Sequence, residues 1–201
     1  MIRLLLADDQ ALVRGAMAAL LGLEADLEVV AEVGRGDEVV AAAREHQVDV
    51  CLVDVEMPGL DGIEVCRALA LALPGVRSLV VTTFGRPGYL RRAVEAGASG
   101  FVVKDTPAAE LAEAVRRVHA GQRVLDPALA AESLAEGANP LTDRERDVLR
   151  EALSGAQVAD IARRVHLSPG TVRNYLSSAI GKTGVSTRAE AAVTARDRGW
   201  L

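Results

Sequence analysis

The sequence predicts an α/β fold, a doubly wound parallel sheet of five strands, followed by a small all-α domain of four helices. Three observations lead to this prediction. Short apolar runs alternate with amphipathic helical stretches five times in residues 1–120, which is a (βα)5 pattern. Beyond residue 140 the apolar runs give way to helix-capping motifs. Half of the 201 residues are hydrophobic and a quarter are charged, which suffices for a buried core and a charged surface.

Each predicted strand is followed by a predicted helix. We expect strands over Ile2 to Ala7, Leu27 to Val33, Val48 to Val53, Ser78 to Thr82 and Gly100 to Val103. We expect helices near Ala11 to Leu21, Glu38 to His46, Ile63 to Leu73, Gly88 to Ala96 and Ala108 to Ala120. Right-handed crossovers would collect the loops after the strands at the carboxyl edge of the sheet, where folds of this winding bind ligands.

Turn-forming residues separate the two predicted domains. Gly121, Pro127 and Gly137 lie in a segment with an alanine-rich stretch that is suited to a short helix. We therefore predict a first domain over residues 1–120, a linker over 121–138 and a second domain over 139–201. In the second domain, capping boxes at Thr142 and Thr187 mark two of the predicted helix starts.

The predicted domains differ in the sign of their charge. Residues 1–120 contain 12 basic and 18 acidic residues, a net charge of -6, and the linker has a net charge of -2. Residues 139–201 contain 10 basic and 7 acidic residues, a net charge of +3. An acidic domain suits cations and a basic domain suits a polyanion. Aromatic residues make up 2% of the chain, which leaves little stacking surface for single-stranded nucleic acid and disfavours RNA-binding modules.

The sequence shows no pattern for secretion or for insertion into a membrane. The first residues, MIRLLLADD, lack the apolar length of a signal peptide. Apolar runs stay well short of the roughly 20 residues that span a bilayer. We therefore expect a cytoplasmic protein. Cys51 and Cys66 lie in apolar stretches without metal-ligand spacing, which predicts reduced core residues.

Three carboxylates, one hydroxyl and one ammonium group lie at or just after the ends of four predicted strands. Asp8 and Asp9 follow the first strand and Asp54 follows the third, and these strands are neighbours in a sheet of this winding. Three carboxylates at one edge need a cation, and such oxygen ligands suit Mg²⁺. Thr82 and Lys104 end the fourth and fifth strands, where a hydroxyl and an ammonium would bind a phosphoryl group on Asp54.

Each of these residues also has an ordinary structural interpretation. Asp9 could cap the first helix, Asp54 could begin the turn MPGLDG, and Thr82 could be a β-branched strand residue. Lys104, however, is one of two lysines among 23 basic residues. The joint pattern at four strand ends favours a phosphoryl site.

The runs LLLADDQALVR, VDVCLVDVEMPGLDG, VVTTF and GASGFVVKD closely resemble the flavodoxin-like receiver domain of two-component response regulators over residues 1–120. The resemblance implies that a sensor histidine kinase phosphorylates Asp54. It implies that Mg²⁺ is held by Asp8, Asp9, Asp54 and the carbonyl of Glu56, and that Thr82, Lys104 and Phe101 bind or respond to the phosphoryl group. Core packing is an equal alternative for Phe101. Asp105 stands where many receivers have proline, as is common in the NarL/FixJ family.

The run LTDRERDVLREALSGAQVADIARRVHLSPGTVRNYLSSAIGKTGVSTRAEA resembles the LuxR-type helix-turn-helix domain of NarL/FixJ regulators over residues 140–195. This implies a recognition helix in the major groove of double-stranded promoter DNA. The expected DNA contacts are Thr171, Arg173, Asn174, Ser177, Ser178, Lys182 and Arg188. Arg173 and Asn174 are the favoured base readers, because arginine can bind guanine and asparagine can bind adenine. Thr183 departs from the usual leucine, which predicts looser packing of the last helix.

A single domain with a charge of +3 should bind DNA weakly. We therefore expect phosphorylation to promote a homodimer, either through the first and fifth helices or through the fourth helix and fifth strand. RNA polymerase is a further expected partner. The runs TTFGRPGYL, ANPLTDRE, TVRNYLSS and the terminal GWL are similar to regulators of lipid-desaturase expression, which implies control of membrane-lipid genes.

Two rival interpretations stay open. A Mg²⁺-dependent phosphatase of haloacid-dehalogenase type also forms an aspartyl phosphate, but it carries a DxD motif at its first strand. Here the residue two positions after Asp8 is Gln10. A transcription factor that keeps the receiver only as a dimerisation scaffold would not need the complete acidic set. We therefore predict a transcription factor that is controlled by phosphorylation and is not an enzyme.

Overall fold

The computed structural model describes residues 1–83, 87–126, 130 and 139–201. The chain forms two compact units, one made mainly of residues 1–126 and the other mainly of residues 139–201. The helix that the sequence predicts within the linker lies outside the described residues apart from Ala130.

The first unit contains the predicted doubly wound parallel sheet. Its strands are β1 (Ile2–Ala7), β2 (Leu27–Val33), β3 (Val50–Val53), β4 (Arg77–Thr82), β5 (Gly100–Val103) and β6 (Val124–Leu125). They lie in the order β2-β1-β3-β4-β5-β6, and all the pairings are parallel. Because Ala7 of β1 pairs with Val53 of β3, the residues that follow these two strands come out side by side at the carboxyl edge.

The sixth strand lies in the segment that the sequence predicts as linker. Its two residues pair with β5, with Val124 opposite Gly100 and Leu125 opposite Phe101. The backbone N–H of Val124 also donates to the carbonyl of Ser99 at 3.1 Å. A run of two residues is too short to show a strand period, so the sheet has one strand more than the sequence predicts.

Helices cover both faces of the sheet. They are α1 (Ala11–Leu21), α2 (Val39–Glu45), α3 (Gly62–Ala72), α4 (Pro87–Glu95) and α5 (Ala108–His119), with a short 3-10 helix at Gly36–Glu38. Successive side chains of a strand point to opposite faces. Leu4 and Leu6 accordingly pack in a cluster with α1 and α5, whereas Leu5 and Ala7 pack in a cluster with α2 and α3.

Within residues 139–201, the second unit is a bundle of four helices, as the sequence predicts. They are α6 (Asp143–Ala152), α7 (Val158–Arg164), α8 (Pro169–Thr183) and α9 (Arg188–Asp197). Capping boxes begin α6 at Thr142 and α9 at Thr187, and Ser168 caps α8. Gly184 ends α8 in the left-handed conformation with a φ of 71°. The core contains residues of all four helices, and Trp200 closes it with 6% of its surface exposed.

Both cysteines are buried and reduced, which confirms the prediction for them. Burial raises the pKa of Cys51 to about 12 and that of Cys66 to about 11, so both thiols stay protonated at neutral pH. Among the described residues, the helices lack the combined length and apolarity that a membrane span requires.

Candidate functional site

Three carboxylates meet at the carboxyl edge of the sheet. Asp8 follows β1 and is fully buried, and Asp54 follows β3 and is 4% exposed. Asp9, the next residue after Asp8, is exposed. An oxygen atom of each carboxylate lies within 4.8 Å of the others. The adjacency of β1 and β3 therefore produces an acidic pocket that is buried on one side and open at Asp9.

Lys104 lies between the two buried carboxylates. Its Nζ is 2.8 Å from Asp8 Oδ2 and 2.9 Å from Asp54 Oδ2. The end of β5 positions it, because the Lys104 backbone N–H donates to the carbonyl of Thr82 at 2.7 Å. Burial acts to lower the pKa of Lys104, but the hydrogen bonds and charges of the two aspartates outweigh it and raise that pKa. The ammonium group therefore stays charged in the pocket.

Asp54 is held by the backbone on one side and by the ammonium on the other. Its Oδ1 accepts the N–H of Val55 at 2.8 Å, and its own N–H donates to the carbonyl of Ala7 at 2.8 Å. Burial raises the pKa of Asp54, and the opposing effect of Lys104 reduces this rise without cancelling it. The result is a buried carboxyl group next to a cation, with a backbone donor that fixes its orientation.

The donor set of the pocket fits a hard divalent cation. Asp8 Oδ1 accepts the N–H of Gln10 at 2.9 Å. Within the described residues, Asp8 Oδ2 is buried without a well-aligned hydrogen bond, although the Lys104 ammonium lies close by. Three carboxylates face one ammonium, so the cluster keeps an excess of negative charge. Oxygen ligands with excess negative charge and one open side are what Mg²⁺ binds in proteins.

The remaining residues predicted for this site lie at the end of β4, within β5 and in the loop after β3. Thr82 ends β4 and is 5% exposed, and Phe101 on β5 is fully buried. Phe101 is in register with Val80 on one side and with β6 on the other. Glu56 lies two positions after Asp54, and its side chain is exposed.

In the second unit, α8 has one buried face and one exposed face. Val172, Leu176 and Ala179 lie in the core. Among the residues predicted to contact DNA, the structure exposes Arg173, Asn174, Ser177, Ser178 and Lys182, and it leaves Thr171 and Arg188 half-buried. The first turn of α8 is fixed by its cap, because the Thr171 N–H donates to Ser168 Oγ at 3.1 Å and the two hydroxyls lie 2.8 Å apart.

Two of the predicted DNA contacts bind a carboxylate of their own unit. Glu145 on α6 is 3% exposed. Ser178 Oγ donates to Glu145 Oε1 at 2.6 Å, and Lys182 Nζ donates to Glu145 Oε2 at 2.7 Å. The sequence marks Glu145 only as the third helical residue of a capping box, a role that it also has, since Glu145 Oε2 accepts the N–H of Thr142 at 2.7 Å. One carboxylate thus links the start of α6 to the middle of α8.

Thr183 is buried on the inner face of α8. Its hydroxyl donates to the carbonyls of Ala179 and Ile180, at 2.8 and 3.1 Å. The helix itself thus satisfies the polar group that replaces the usual leucine.

Comparison with known proteins agrees with both units. Residues 4–116 match the family model "Response regulator receiver domain", and residues 139–195 match "Bacterial regulatory proteins, luxR family". The chain is 42% identical over 201 residues to the transcriptional regulatory protein DesR of Bacillus subtilis, with all of both chains covered. It is 39% identical over 209 residues to the DNA-binding transcriptional activator DevR/DosR of Mycobacterium tuberculosis, with 98% of this chain and 95% of the relative covered.

Solved structures show the same architecture. The response regulator ChrA of a heme-sensing two-component system is 33% identical, with a TM-score of 0.60 over 100% of this chain and 98% of that chain. The regulator RcsB in its DNA complex is 23% identical, with a TM-score of 0.65 over 96% of this chain and 98% of that chain, which shows the shared fold.

The family excludes the phosphatase interpretation of the acidic pocket. The relatives are transcriptional regulators that combine a receiver with a helix-turn-helix domain, a family without enzymatic activity of the phosphatase kind. The chain belongs to the response regulators of two-component systems, and it is a transcriptional regulator with a receiver domain and a LuxR-type DNA-binding domain.

Proposed function

We propose that a sensor histidine kinase phosphorylates this regulator on Asp54, that the phosphorylated form is a homodimer, and that α8 of each copy then binds promoter DNA. The observation that carries the proposal is the position of Lys104, whose Nζ lies 2.8 Å from Asp8 and 2.9 Å from Asp54 in an acidic pocket. An ammonium group in this position can bind an oxygen of a phosphoryl group on Asp54.

The chemistry at Asp54 is a phosphoryl transfer. An Asp54 carboxylate oxygen attacks the phosphorus of the donor phosphohistidine, the P–N bond breaks, and the imidazole leaves with the electron pair. We assign Asp8, Asp9, Asp54 and the carbonyl of Glu56 as the residues that would hold Mg²⁺, which would neutralise charge on the incoming phosphoryl group. Lys104 binds a second phosphoryl oxygen and Thr82 a third.

Phosphorylation adds a charge of about -1.5 to -2 to a pocket that is already acidic. The new oxygen atoms compete with Asp8 for the three N–H groups of the Lys104 ammonium. Thr82 ends β4 and Phe101 lies within the neighbouring β5, so we assign them to the response to this change. The signal would then leave the site through β4 and β5.

The surface of α1 supports a homodimer. Leu12 and Leu23 are 86% and 81% exposed, and Leu20 is 48% exposed. Leu12 and Leu20 lie on α1, and Leu23 lies in the turn directly after it. Three exposed leucines on α1 and the turn after it favour the first and fifth helices over the fourth helix and fifth strand as the dimer contact.

For the DNA-binding unit we propose Arg173 and Asn174 as the base readers, because both are exposed on the outer face of α8. Thr171 and Ser177 lie beside them, and Arg188 is a phosphate contact. The Lys182 side chain is 33% exposed, so one of its three N–H groups can bind a phosphate while another holds Glu145. Ser178, whose hydroxyl donates to Glu145, would contact DNA only as a hydrogen-bond acceptor.

We retain the predicted domain limits of 1–120 and 139–201 with one change. Because β6 extends the sheet to Leu125, we propose that the linker begins after it.

We also propose a cytoplasmic location, contact with RNA polymerase at the promoter, and membrane-lipid genes as targets, all of which rest on the resemblance of the sequence. Chromatin precipitation from cells that contain the phosphorylated form would test the targets.

The deciding experiment treats the wild-type protein and Asp54→Asn with acetyl phosphate and Mg²⁺, and follows intact mass, dimerisation and DNA binding. We expect the wild-type protein to gain one phosphoryl group, to dimerise and to bind DNA more tightly, and we expect no change in the variant. An equal gain of mass in the variant would refute the assignment of Asp54. Phosphorylation that changes neither dimerisation nor DNA binding would favour a receiver that acts as a scaffold.

A further inference from the structure

The loop that follows the proposed phosphoacceptor is held by a segment from the other side of β1. This loop, residues 55–61, connects β3 to α3. The backbone N–H of Gly36, which follows β2, donates to the carbonyl of Pro58 in the middle of the loop at 3.0 Å. Gly36 is itself buried. A contact between main-chain atoms thus joins two loops that are distant in sequence.

The contact leaves no room for a side chain at Gly36. A Cβ atom there would lie 2.0 Å from the carbonyl oxygen of Leu60 and 3.0 Å from Val65 Cγ2. The nearest obstacle is backbone, which cannot swing aside as a side chain can. A larger residue at position 36 therefore has to displace the loop.

Asp37 adds a second contact to the same loop. Gly59 has a φ of 85°, and a Cβ atom on it would lie 2.5 Å from Asp37 Oδ1, so the carboxylate lies directly over this glycine. Arg35 fixes the carboxylate through two hydrogen bonds, of 3.0 Å to Oδ1 and 2.9 Å to Oδ2. A charged pair thus covers the turn that Gly36 holds by its backbone.

The far end of the loop is held independently. The Gly62 N–H donates to the carbonyl of Val55 at 2.9 Å. A Cβ atom on Gly62 would lie 2.0 Å from the carbonyl oxygen of Asp54. Glu56, whose carbonyl is the proposed fourth metal ligand, lies between these two attachments.

We infer that Gly36 is a positioning residue for the metal site: by holding Pro58 and Leu60, it sets the path of the loop and with it the place of the Glu56 carbonyl. This inference rests on the proposed function, since it concerns the same Mg²⁺ site. Contacts that orient metal ligands from behind are typically worth a factor of 10–100 in metal affinity. Gly36 acts in this way although it touches neither the metal ligands nor the phosphoryl group.

The test compares full-length Gly36→Ala with Gly75→Ala, whose Cβ atom would meet nothing within 4 Å. The first readout is the dissociation constant of Mg²⁺ alone, measured by titration calorimetry without a phosphoryl donor. We expect Gly36→Ala to raise it about tenfold and Gly75→Ala to leave it unchanged. The second readout is hydrogen exchange in residues 55–61, which we expect to become faster only in Gly36→Ala.

If Gly36→Ala does not fold, Asp37→Ala takes its place. This variant removes an exposed side chain, so we expect it to fold. We expect it to raise the Mg²⁺ dissociation constant in the same direction and by a smaller factor. The inference is overturned if folded Gly36→Ala, or Asp37→Ala in its place, binds Mg²⁺ as the wild-type protein does. A wild-type protein that binds no Mg²⁺ would instead overturn the proposed metal site itself, so the two failures are distinguishable.

Discussion

Lys104 and Lys182 are the two lysines of the chain, and each binds a buried carboxylate. Lys104 lies between Asp8 and Asp54, and Lys182 binds Glu145. An ammonium group is a compact point charge that fits between closely spaced oxygen atoms, whereas the planar guanidinium group of arginine needs a wider, bidentate arrangement. This difference explains why lysine stands at these two positions in a chain whose other basic side chains, apart from three histidines, are arginines.

The pairing of Glu145 predicts a pH dependence of stability in the DNA-binding unit. Burial acts to raise the pKa of Glu145, but Lys182, Ser178 and the N–H of Thr142 outweigh it and lower the pKa from its ordinary 4.5 to about 2. Because the folded-state pKa is depressed, the stabilisation is complete above pH 4.5 and is lost as the pH falls toward 2. We expect a loss on the order of 2 kcal/mol across this window.

Urea unfolding followed by the fluorescence of Trp200, the single tryptophan, measures this loss. Glu145→Gln should unfold more easily at pH 7 and should lack the part of the pH dependence that this carboxylate causes. A variant with the wild-type dependence between pH 4.5 and 2 would show that other carboxyl groups are responsible.

Removal of the Lys104 ammonium should make the receiver depend on divalent cations for its stability. Lys104→Ala leaves the buried Asp8 and Asp54 carboxylates without their ammonium partner. Removing one partner of a buried ion pair lowers the free energy of unfolding by about 3 kcal/mol. We expect a lower melting temperature in EDTA and a larger rise on addition of Mg²⁺ than in the wild-type protein. The double variant Lys104→Ala/Asp54→Asn should recover part of the loss, and a failure to recover it would contradict the electrostatic origin.

At the scale of elements, α8 packs into the core with one face and presents the proposed base readers with the other. Its inner face packs Val172 and Leu176 into the helical core, and its outer face exposes Arg173 and Asn174. Ser178 and Lys182, on the same helix, both donate hydrogen bonds to Glu145 and so attach α8 to α6. The orientation of the proposed base readers therefore depends on a carboxylate of α6.

Arg173→Ala should remove the sequence preference at one base pair of the operator. A bidentate contact of arginine with guanine contributes about 1–3 kcal/mol of discrimination, so the variant should bind the wild-type site less tightly and tolerate substitution at that position. Binding assays on a set of single-substituted operators measure this change. Arg196→Ala, an exposed arginine of α9 that pairs with Asp197, serves as the control and should keep the preference. An unchanged preference in Arg173→Ala would remove this residue from the base readers.

At the scale of the whole molecule, an acidic receiver is joined to a weakly basic DNA-binding unit, and we propose that dimerisation is the step that links them. Two copies of the DNA-binding unit double the number of phosphate contacts. The logarithm of the binding constant falls linearly with the logarithm of the salt concentration. The slope is about -0.9 for each phosphate contacted on duplex DNA, so it steepens as the number of contacts rises. The control of DNA binding can therefore act through the association of receivers.

Leu12→Glu should separate phosphorylation from dimerisation. Placing a charge among the exposed leucines of α1 should abolish the dimer of the phosphorylated protein and halve the salt slope of its DNA binding. The rate of phosphorylation by acetyl phosphate should stay unchanged. Leu71→Glu is the matched control, since Leu71 on α3 is 80% exposed. Sedimentation of both phosphorylated variants measures the effect. A stable dimer of Leu12→Glu would shift the interface to the fourth helix and fifth strand.

Much of the fold and part of the candidate site follow from patterns along the chain. The alternation of apolar runs and helices predicts the doubly wound sheet, and the winding places the ends of β1 and β3 side by side. For this reason Asp8, Asp54 and Lys104 could be expected at one edge, although Lys104 is 50 residues from Asp54. Capping boxes predict the starts of α6 and α9 because they are local interactions.

The sequence by itself thus determined the order of the elements, the family and the residues at the carboxyl edge. The tertiary structure alone decided that Ser178 and Lys182 bind Glu145, 33 and 37 residues away, that β6 joins the sheet, and that Gly36 holds the loop after Asp54. These contacts join segments that are distant along the chain, and the sequence pattern of each segment predicts only its own helix, strand or loop. Their geometry depends on how the elements pack in three dimensions, which a period of 2 or 3.6 residues along the chain does not contain.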